Sequence, residues 1–179
     1  MSKLFVDEIV HQSSQGSGTI TLGASGETVA MASGASVGAG MGKILQVVHA
    51  TSETGIATTS TSYQDIVTVN ITPSSTSNKI YIATSVQIRK DSSAVGNQSA
   101  GLRLLRDSTA LTTISNYASW NNNVVTRTQE TVGYNHLDSP SSTSQITYKL
   151  QGRAMVSGGQ VSFNHDSSKC FITAMEIAG

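Results

Sequence analysis

Apolar and polar positions alternate along most of the chain from residue 43 onwards, and alternation of this kind is typical of β-strands. In residues 64–71, Val67, Val69 and Ile71 fall on one face of an extended segment. No segment shows the period of a helix. The predicted strands are 43–50, 64–71, 79–90, 99–106, 109–114, 124–138, 144–155, 159–163 and 170–177. Short strands separated by turn residues predict an all-β, antiparallel β-sandwich, and their number favours a jelly roll.

The longest predicted strand, residues 79–90, has two faces of different character. Its apolar face comprises Ile80, Ile82, Thr84, Val86 and Ile88. Its second face comprises Tyr81, Ala83, Ser85, Gln87 and Arg89. Because adjacent residues of a strand point to opposite sides, we expect the first face to line the core. The second face suits solvent or a contact between subunits.

Residues 18–42 show a different pattern, with two four-residue alternating runs at 19–22 and 28–31 separated by small turn residues. The apolar positions of these runs are Ile20, Leu22, Val29 and Met31. Strands this short cannot bury an apolar face alone, so they need copies from neighbouring chains. The segment therefore predicts a short intertwined β-shaft in a fibrous homo-oligomer, most simply a homotrimer.

The chain before the shaft combines a small apolar patch with a polar linker. The apolar patch comprises Leu4, Phe5, Val6, Ile9 and Val10, and residues 11–17 follow with a flexible composition. This arrangement is typical of a docking peptide on a larger assembly; a strand swapped into a neighbouring subunit is the alternative. The predicted organisation is thus an anchor with its linker (1–17), a shaft (18–42) and a head domain (43–179).

Composition narrows the function. Eleven basic residues balance eleven acidic ones and only 12% of residues are charged, so neither a nucleic-acid surface nor a funnel for acidic substrates is indicated. The chain has 28 Ser, 21 Thr and 16 Gly, a composition compatible with exposed β-structure or with disorder. The sustained alternation of apolar and polar residues favours a packed head domain. No apolar stretch approaches the length of a signal peptide core or a membrane span. We expect assembly in a cytoplasm and no membrane insertion.

Residues capable of catalysis are sparse and scattered. Residues 38–42 superficially resemble a phosphate-binding glycine loop, but a strand and not a helix follows them. Asp138 and Ser139 lie near His136, yet neighbouring residues of a strand point apart, so a turn is the better interpretation. Cys170 is the only cysteine, which excludes an intramolecular disulfide and favours a buried apolar role. We predict no catalytic site and no cofactor.

The four histidines offer no metal-ligand spacing within one chain. His11 is expected to be solvated in the linker. In a threefold assembly, one inward-facing histidine per chain would supply three ligands, so His49, His136 or His165 is compatible with a metal on the axis. The alternative is that these histidines lie on the surface or form a hydrogen bond with a neighbouring hydroxyl group. No metal is assigned.

Residues 116–123 interrupt the strand pattern and hold the only tryptophan. Their composition predicts an exposed loop. The candidate residues for contact with a ligand are Tyr117, Trp120, Asn121, Asn122 and Asn123. Aromatic rings stack on sugar faces and amides bond hydroxyl groups, so weak glycan recognition strengthened by several copies is the prediction. Burial of Trp120 in the core or between subunits is the alternative.

Three stretches of the head are distinctive: GLRLLRDST (101–109), LDSP (137–140) leading into TYKLQ (147–151), and ITAMEIA (172–178). These segments resemble the C-terminal domains of phage virion fibre proteins, particularly those of marine and cyanobacterial viruses. The likeness covers residues 43–179, and TITLGASGETVAM (19–31) is similar to the fibre repeats that precede such heads. The resemblance implies a homotrimer with an N-terminal virion anchor and a jelly-roll head related to the trimeric tumour-necrosis-factor-like fold. It implies no enzyme activity.

These observations together predict a non-enzymatic virion structural protein. The first hypothesis is a short trimeric fibre, attached to other virion proteins by its N-terminus, whose head binds a host-surface molecule such as a glycan. The alternative is a capsid fibre or decoration protein that stabilises the shell or adheres weakly to surfaces, which the shortness of the chain favours. A secreted or surface-displayed binding module, or a depolymerase with paired carboxylates, is a more distant alternative. We expect the protein in the virion, assembled in the host cytoplasm.

Overall fold

Strands dominate the computed structural model, which describes residues 43–91, 97–122 and 127–179. The strands are β1 (Ile44–Ser52), β2 (Ile56–Thr58), β3 (Gln64–Ile71), β4 (Lys79–Lys90), β5 (Gln98–Arg106), β6 (Thr109–Asn121), β7 (Thr128–Asp138), β8 (Ile146–Ala154), β9 (Val161–Phe163) and β10 (Cys170–Ile177). A short 3-10 helix, His165–Ser167, precedes β10. None of the helical structure in these three ranges is long and apolar enough to cross a membrane.

The predicted anchor (1–17) and shaft (18–42) lie outside the described residues. The anchor positions are Leu4, Phe5, Val6, Ile9 and Val10, and the shaft positions are Ile20, Leu22, Val29 and Met31. His11 also precedes the described part. The strands above belong to one compact unit.

The strands form two antiparallel sheets that pack as a sandwich, as predicted. Sheet I has β1, β10 and β4 in that order, with β7 on the far side of β4 and the short β9 and β2 continuing beside it. Sheet II has the order β3, β8, β5, β6. Among the eight long strands the first pairs with the last, β1 with β10, and the pairs β3–β8, β4–β7 and β5–β6 nest within it. This nested pairing is that of a long hairpin rolled into two sheets, which is a jelly roll.

Alternation places the core residues where the sequence predicts them. In β4, Ile80, Ile82 and Ile88 are fully buried, while the residues of its second face, from Tyr81 to Arg89, are partly exposed. β8 supplies Tyr148 and Leu150 from the opposite sheet, both fully buried. Each such side chain contributes about 1.5–3 kcal/mol by leaving water. Cys170 is also buried and free, as predicted.

Two features of the strands depart from the simple alternation that the sequence predicts. The ladder between β3 and β8 shifts between Asp65 and Val67, and this bulge lets the consecutive residues Ile66 and Val67 both be buried. Strand β2 has only three residues and pairs with β9. Such a run is too short for alternation to be recognised in the sequence, and it was not predicted.

The predicted loop at 116–123 is wrong over most of its length. Strand β6 does not end at Ile114 but continues to Asn121, paired with β5 along its whole length. The hydrogen bonds of the ladder thus override the loop-like composition of this segment. Strand β7 begins at Thr128, later than the predicted residue 124.

Candidate functional site

Three of the five candidate host-contact residues, Tyr117, Trp120 and Asn121, lie on β6, which is an edge strand of sheet II. Between the terminal pairs Gln98–Asn121 and Arg106–Thr109, β6 advances 12 residues while β5 advances 8, so β6 contains four extra residues. They are distributed over four shifts in register. Bulges of this kind occur at sheet edges and change the direction in which side chains point.

Two large aromatic side chains project from the bulged half of β6. Tyr117 is 73% exposed and Trp120 is 51% exposed, whereas Ala118 and Ser119 between them are buried. Ser119 has a φ of 54°, in the left-handed region, which interrupts the alternation of the strand. The exposure of Trp120 is inconsistent with a position in the core of the chain. A contact between subunits stays an open alternative.

Ser119 fixes this part of β6 to β7 of the other sheet. Its Oγ lies 3.0 Å from the carbonyl oxygen of Thr128 and 3.0 Å from the Thr128 hydroxyl oxygen. The Ser119 backbone N–H donates a hydrogen bond to the carboxylate of Glu130. These bonds fix the position of Ser119, which is next to Trp120. The indole therefore projects from a strand that is held to its neighbour by hydrogen bonds, and not from a free loop.

The asparagines that follow have different surroundings. Asn121 is half-buried and pairs with Gln98 in the ladder, and Asn122 is exposed just beyond the strand. Asn123 lies outside the described residues. Of the five predicted contact residues, the structure therefore brings Tyr117, Trp120 and Asn121 onto one strand, with Asn122 beside it.

A second surface is formed by the outer face of sheet I. Its most apolar part is a row of register partners that crosses four strands, from β1 through β10 and β4 to β7. We call it the apolar row; it comprises Val47, Met175, Tyr81 and Leu137. Val47 is 54% exposed and Leu137 is 51% exposed. With strands about 4.8 Å apart, the row extends about 14 Å across the sheet.

Few charged side chains surround the apolar row. On one side, the two next rows of this face comprise His49, Thr173, Ala83 and Asn135, then Thr51, Phe171, Ser85 and Gly133, and His49 is their one ionisable side chain. On the other side, the next row comprises Ile44, which is 53% exposed, Ile177 and the exposed Lys79. A largely apolar face with few charges is the kind of surface that other protein chains cover.

The sequence alone did not reveal this face, because β10 carries apolar residues on both sides. Phe171, Met175 and Ile177 point outward, whereas Cys170, Ala174 and even Glu176 are buried. The detectable signal was the second face of β4, which was predicted to meet solvent or another subunit.

The histidines are separated within the chain. His49 Nδ1 lies 2.8 Å from the Thr173 hydroxyl, and its ring centroid is 5.7 Å from that of Phe171. His136 stacks near Tyr134 at 6.5 Å, and His165 lies beside Arg89. No group of three or more histidine, cysteine, aspartate or glutamate side chains in the described ranges is arranged to hold a metal ion. A metal shared between chains stays a hypothesis.

Asp138 has a structural position that the sequence did not indicate. Its carboxylate is buried and accepts hydrogen bonds from Arg106 and from the Tyr148 hydroxyl. Burial and the hydrogen bond to Asp138 raise the pKa of Tyr148. Every oxygen of Asp138 is thus occupied inside the sandwich, and the side chain holds the two sheets together.

Comparison with known proteins gives likenesses in structure only. No family model matches the sequence, and no curated protein matches it. A chain from infectious bursal disease virus, Gx strain, is 13% identical, with a TM-score of 0.43, over 74% of this chain and 37% of its own. A chain from the VP2 subviral particle of infectious bursal disease virus is 15% identical, with a TM-score of 0.43, over 81% of this chain and 37% of its own. The chain therefore spans less than half the length of these viral proteins, and identities this low identify no family for it.

Proposed function

We propose that the protein is a non-enzymatic structural component of a phage particle, a short homotrimeric fibre whose jelly-roll head faces outward. The proposal is supported by the resemblance of the quoted segments to phage virion fibre proteins and by a jelly-roll head of the type they imply. An N-terminal anchor at residues 1–17 would attach the fibre to other virion proteins, and the shaft at 18–42 would carry the head.

The observation that carries the self-assembling part of this proposal is the apolar row, whose four residues carry no charge. Val47 and Leu137 leave about half of their surface in water in the single chain, which is unfavourable by roughly 25 cal/mol for each Å² of apolar area. A second copy of the apolar row is a suitable cover because none of its four residues requires a charged partner.

Sedimentation equilibrium of the full chain tests the assembly. We expect a trimer, and we expect Val47→Glu and Leu137→Glu to weaken association by placing a charge in the contact. Thr113→Glu, on the exposed side of β6, is the matched control and should leave the mass unchanged. A wild-type chain that sediments as a monomer of 18.7 kDa would contradict the proposal. If the chain is a trimer and neither glutamate variant changes its mass, the homotrimer is supported but the apolar row is not its contact surface.

The position on the particle separates the two forms of the proposal. Cryo-electron microscopy of purified particles, with the protein labelled, is the decisive measurement. Density at the tail fits a host-binding tail fibre. Density only on capsid vertices or faces fits the second candidate, a capsid fibre or decoration protein that stabilises the shell or adheres weakly to surfaces.

Within the first form, the aromatic edge of β6 is the proposed host contact. Tyr117 and Trp120 are exposed on a braced strand, and Asn121 and Asn122 supply amides next to them. Aromatic rings with nearby amides suit weak recognition of a host-surface glycan. Incubation of the purified protein with host polysaccharide should leave the polymer intact, and its cleavage would contradict the non-enzymatic assignment.

A further inference from the structure

Tyr63 shares its ring with two guanidinium groups on the outer side of sheet II. The Cζ atom of Arg103 lies 4.0 Å from the ring centroid, and that of Arg153 lies 4.6 Å from it. Both distances are within the range of a cation–π contact. We call these three residues the arginine–tyrosine cluster.

The strand register places both arginines next to each other on one face. In the ladder between β5 and β8, Arg153 pairs with Gly101 and Arg103 pairs with Gln151. A Cβ atom at Gly101 would lie 3.1 Å from Cγ and Nε of Arg153, so the glycine makes room for Arg153 to lie across β5. Arg103 Nε donates a 2.8 Å hydrogen bond to Gln151 Oε1. The cluster is therefore held in place by its neighbours before any ligand binds.

The cluster carries positive charge that nearby carboxylates do not neutralise. In the described part of the chain, no carboxylate lies within 4.0 Å of either guanidinium group. Asp65 is close, but its two oxygens accept hydrogen bonds from Lys149, at 2.9 Å, and from Gln151. Counting Arg103, Arg153 and Lys149 as +3 and Asp65 as −1 leaves +2 here, in a chain whose net charge is zero.

We propose that the arginine–tyrosine cluster binds the carboxylate or sulfate group of an acidic glycan. Arg103 Nε is used by Gln151, and Arg153 Nη1 donates a 3.4 Å bond to the Thr61 carbonyl oxygen. The remaining Nη groups are left for a ligand, because stacking on an aromatic ring occupies the face of a guanidinium group and not its edge, and its planar fork matches the two oxygens of a carboxylate or sulfate. The half-buried Tyr63 ring adds an apolar surface for a sugar. The proposal extends the proposed host-binding function to a different face from the β6 edge.

An acidic glycan fits better than a nucleic acid. Nucleic-acid binding rests on about 6–10 phosphate contacts spread along a groove, whereas this cluster has two arginines and one lysine at one place. One or two acidic groups on an otherwise neutral sugar chain match that size.

The test is titration of the full chain with sialyllactose, with a sulfated heparin tetrasaccharide and with neutral lactose, followed by NMR or calorimetry. We expect one or both acidic sugars to bind and lactose not to bind. Affinity should fall when salt is raised from about 50 mM to about 500 mM, because salt screens charge pairs. The two acidic probes separate a carboxylate ligand from a sulfate ligand.

Variants decide whether the cluster is the site. Arg103→Ala and Arg153→Ala should each weaken binding by about tenfold or more, because each removes a charged, bidentate donor. Lys149→Ala removes the same charge from the same face without touching Tyr63, and it should cost less than about threefold. Tyr63→Phe keeps the stacking ring and should bind like the wild type.

Two outcomes in the variants overturn the proposal. Equal losses of affinity in the Arg103, Arg153 and Lys149 variants would show nonspecific electrostatic attraction. Unchanged affinity in both arginine variants would show that the cluster is not the site. Tighter binding of a single-stranded oligonucleotide than of either acidic sugar would also overturn it. Thermal unfolding of each variant verifies that it is folded. Absence of the protein from virions would reject the proposed function but not this site, since the titration uses the purified chain.

Discussion

The hydroxyl group of Tyr148 donates a 2.7 Å hydrogen bond to Oδ2 of Asp138, and this bond joins β8 of sheet II to the end of β7 in sheet I. Arg106 Nη1 lies 2.9 Å from both oxygens of the same carboxylate. A buried carboxylate is tolerated only when donors surround it. The pair thus ties the two sheets together at the end of β7.

Removing either partner should have unequal effects. Tyr148→Phe deletes one donor and leaves Arg106 in place, so we expect a loss of about 1 kcal/mol in the free energy of unfolding. Asp138→Ala leaves both the tyrosine hydroxyl and Arg106 without an acceptor, and we expect a loss of about 3–5 kcal/mol. Urea denaturation measures both. Equal losses in the two variants would show that the carboxylate does not act as the shared acceptor.

Acid should destabilise the fold through Glu176. This carboxylate is fully buried and accepts bonds from the Ser74 backbone N–H and hydroxyl, at 2.6 and 2.8 Å, and from the Gln46 and Asn78 amides. Burial alone would raise the pKa of Glu176, but these donors outweigh burial and lower it to about 2 from an ordinary 4.5. Because the folded pKa is the lower one, its stabilisation is complete above about pH 4.5 and is lost as the pH falls towards about 2.

The matched variant Glu176→Gln isolates this contribution. A neutral amide does not titrate, so the wild-type advantage should shrink between about pH 4.5 and pH 2, with a total on the order of 2–3 kcal/mol. Denaturation at a series of pH values gives both curves. Parallel curves for wild type and variant over this range would contradict the role of Glu176.

The strand pattern of the head was predictable because burial imposes period-two alternation on β3, β4 and β8. Glu176 was not, since an acidic residue in an alternating strand normally indicates the solvent side, and only the donors that the fold gathers from β1 and the 72–78 loop make its burial tolerable. Tyr117 and Trp120 were predictable only in part. The composition of their segment indicated exposure, which the structure shows, but their position in a strand was not predictable. The bulges that keep them in β6 depend on pairing with β5, and no local sequence encodes that pairing.

Two glycines in strands should respond oppositely to alanine. A Cβ at Gly152 would lie 2.4 Å from Cζ of the fully buried Phe163 and 2.8 Å from Ile66 Cδ1. Gly152→Ala must therefore displace core side chains, and we expect a loss of about 1–3 kcal/mol. At Gly133 the closest atom is the carbonyl oxygen of Thr84 at 3.7 Å, an ordinary contact. Gly133→Ala is the control and should be neutral or slightly stabilising.

Trp120→Ala should affect binding and not folding. With 51% of the residue exposed, truncation creates no core cavity, and we expect a loss below about 1 kcal/mol instead of the 3–5 kcal/mol of a buried tryptophan. Adsorption of the protein to host cells should fall if the indole contacts a ligand. Tyr117→Ala is the companion variant on the same strand. Full adsorption by a folded double variant would exclude the β6 edge as the host contact.

If the chain forms the proposed trimer, the shaft and the apolar row should make separable contributions to it. Deletion of residues 18–41 removes the predicted four-residue strands, which are not expected to be stable singly, while Val47→Glu alters only the head. If the shaft is the assembly device, the deletion should yield monomers and Val47→Glu alone should leave a trimer with a lower unfolding temperature. If the heads also associate, the deletion variant should stay oligomeric until Val47→Glu is added. Sedimentation equilibrium of the single and combined variants distinguishes these results, and a trimer that survives the combination would show that neither surface accounts for assembly.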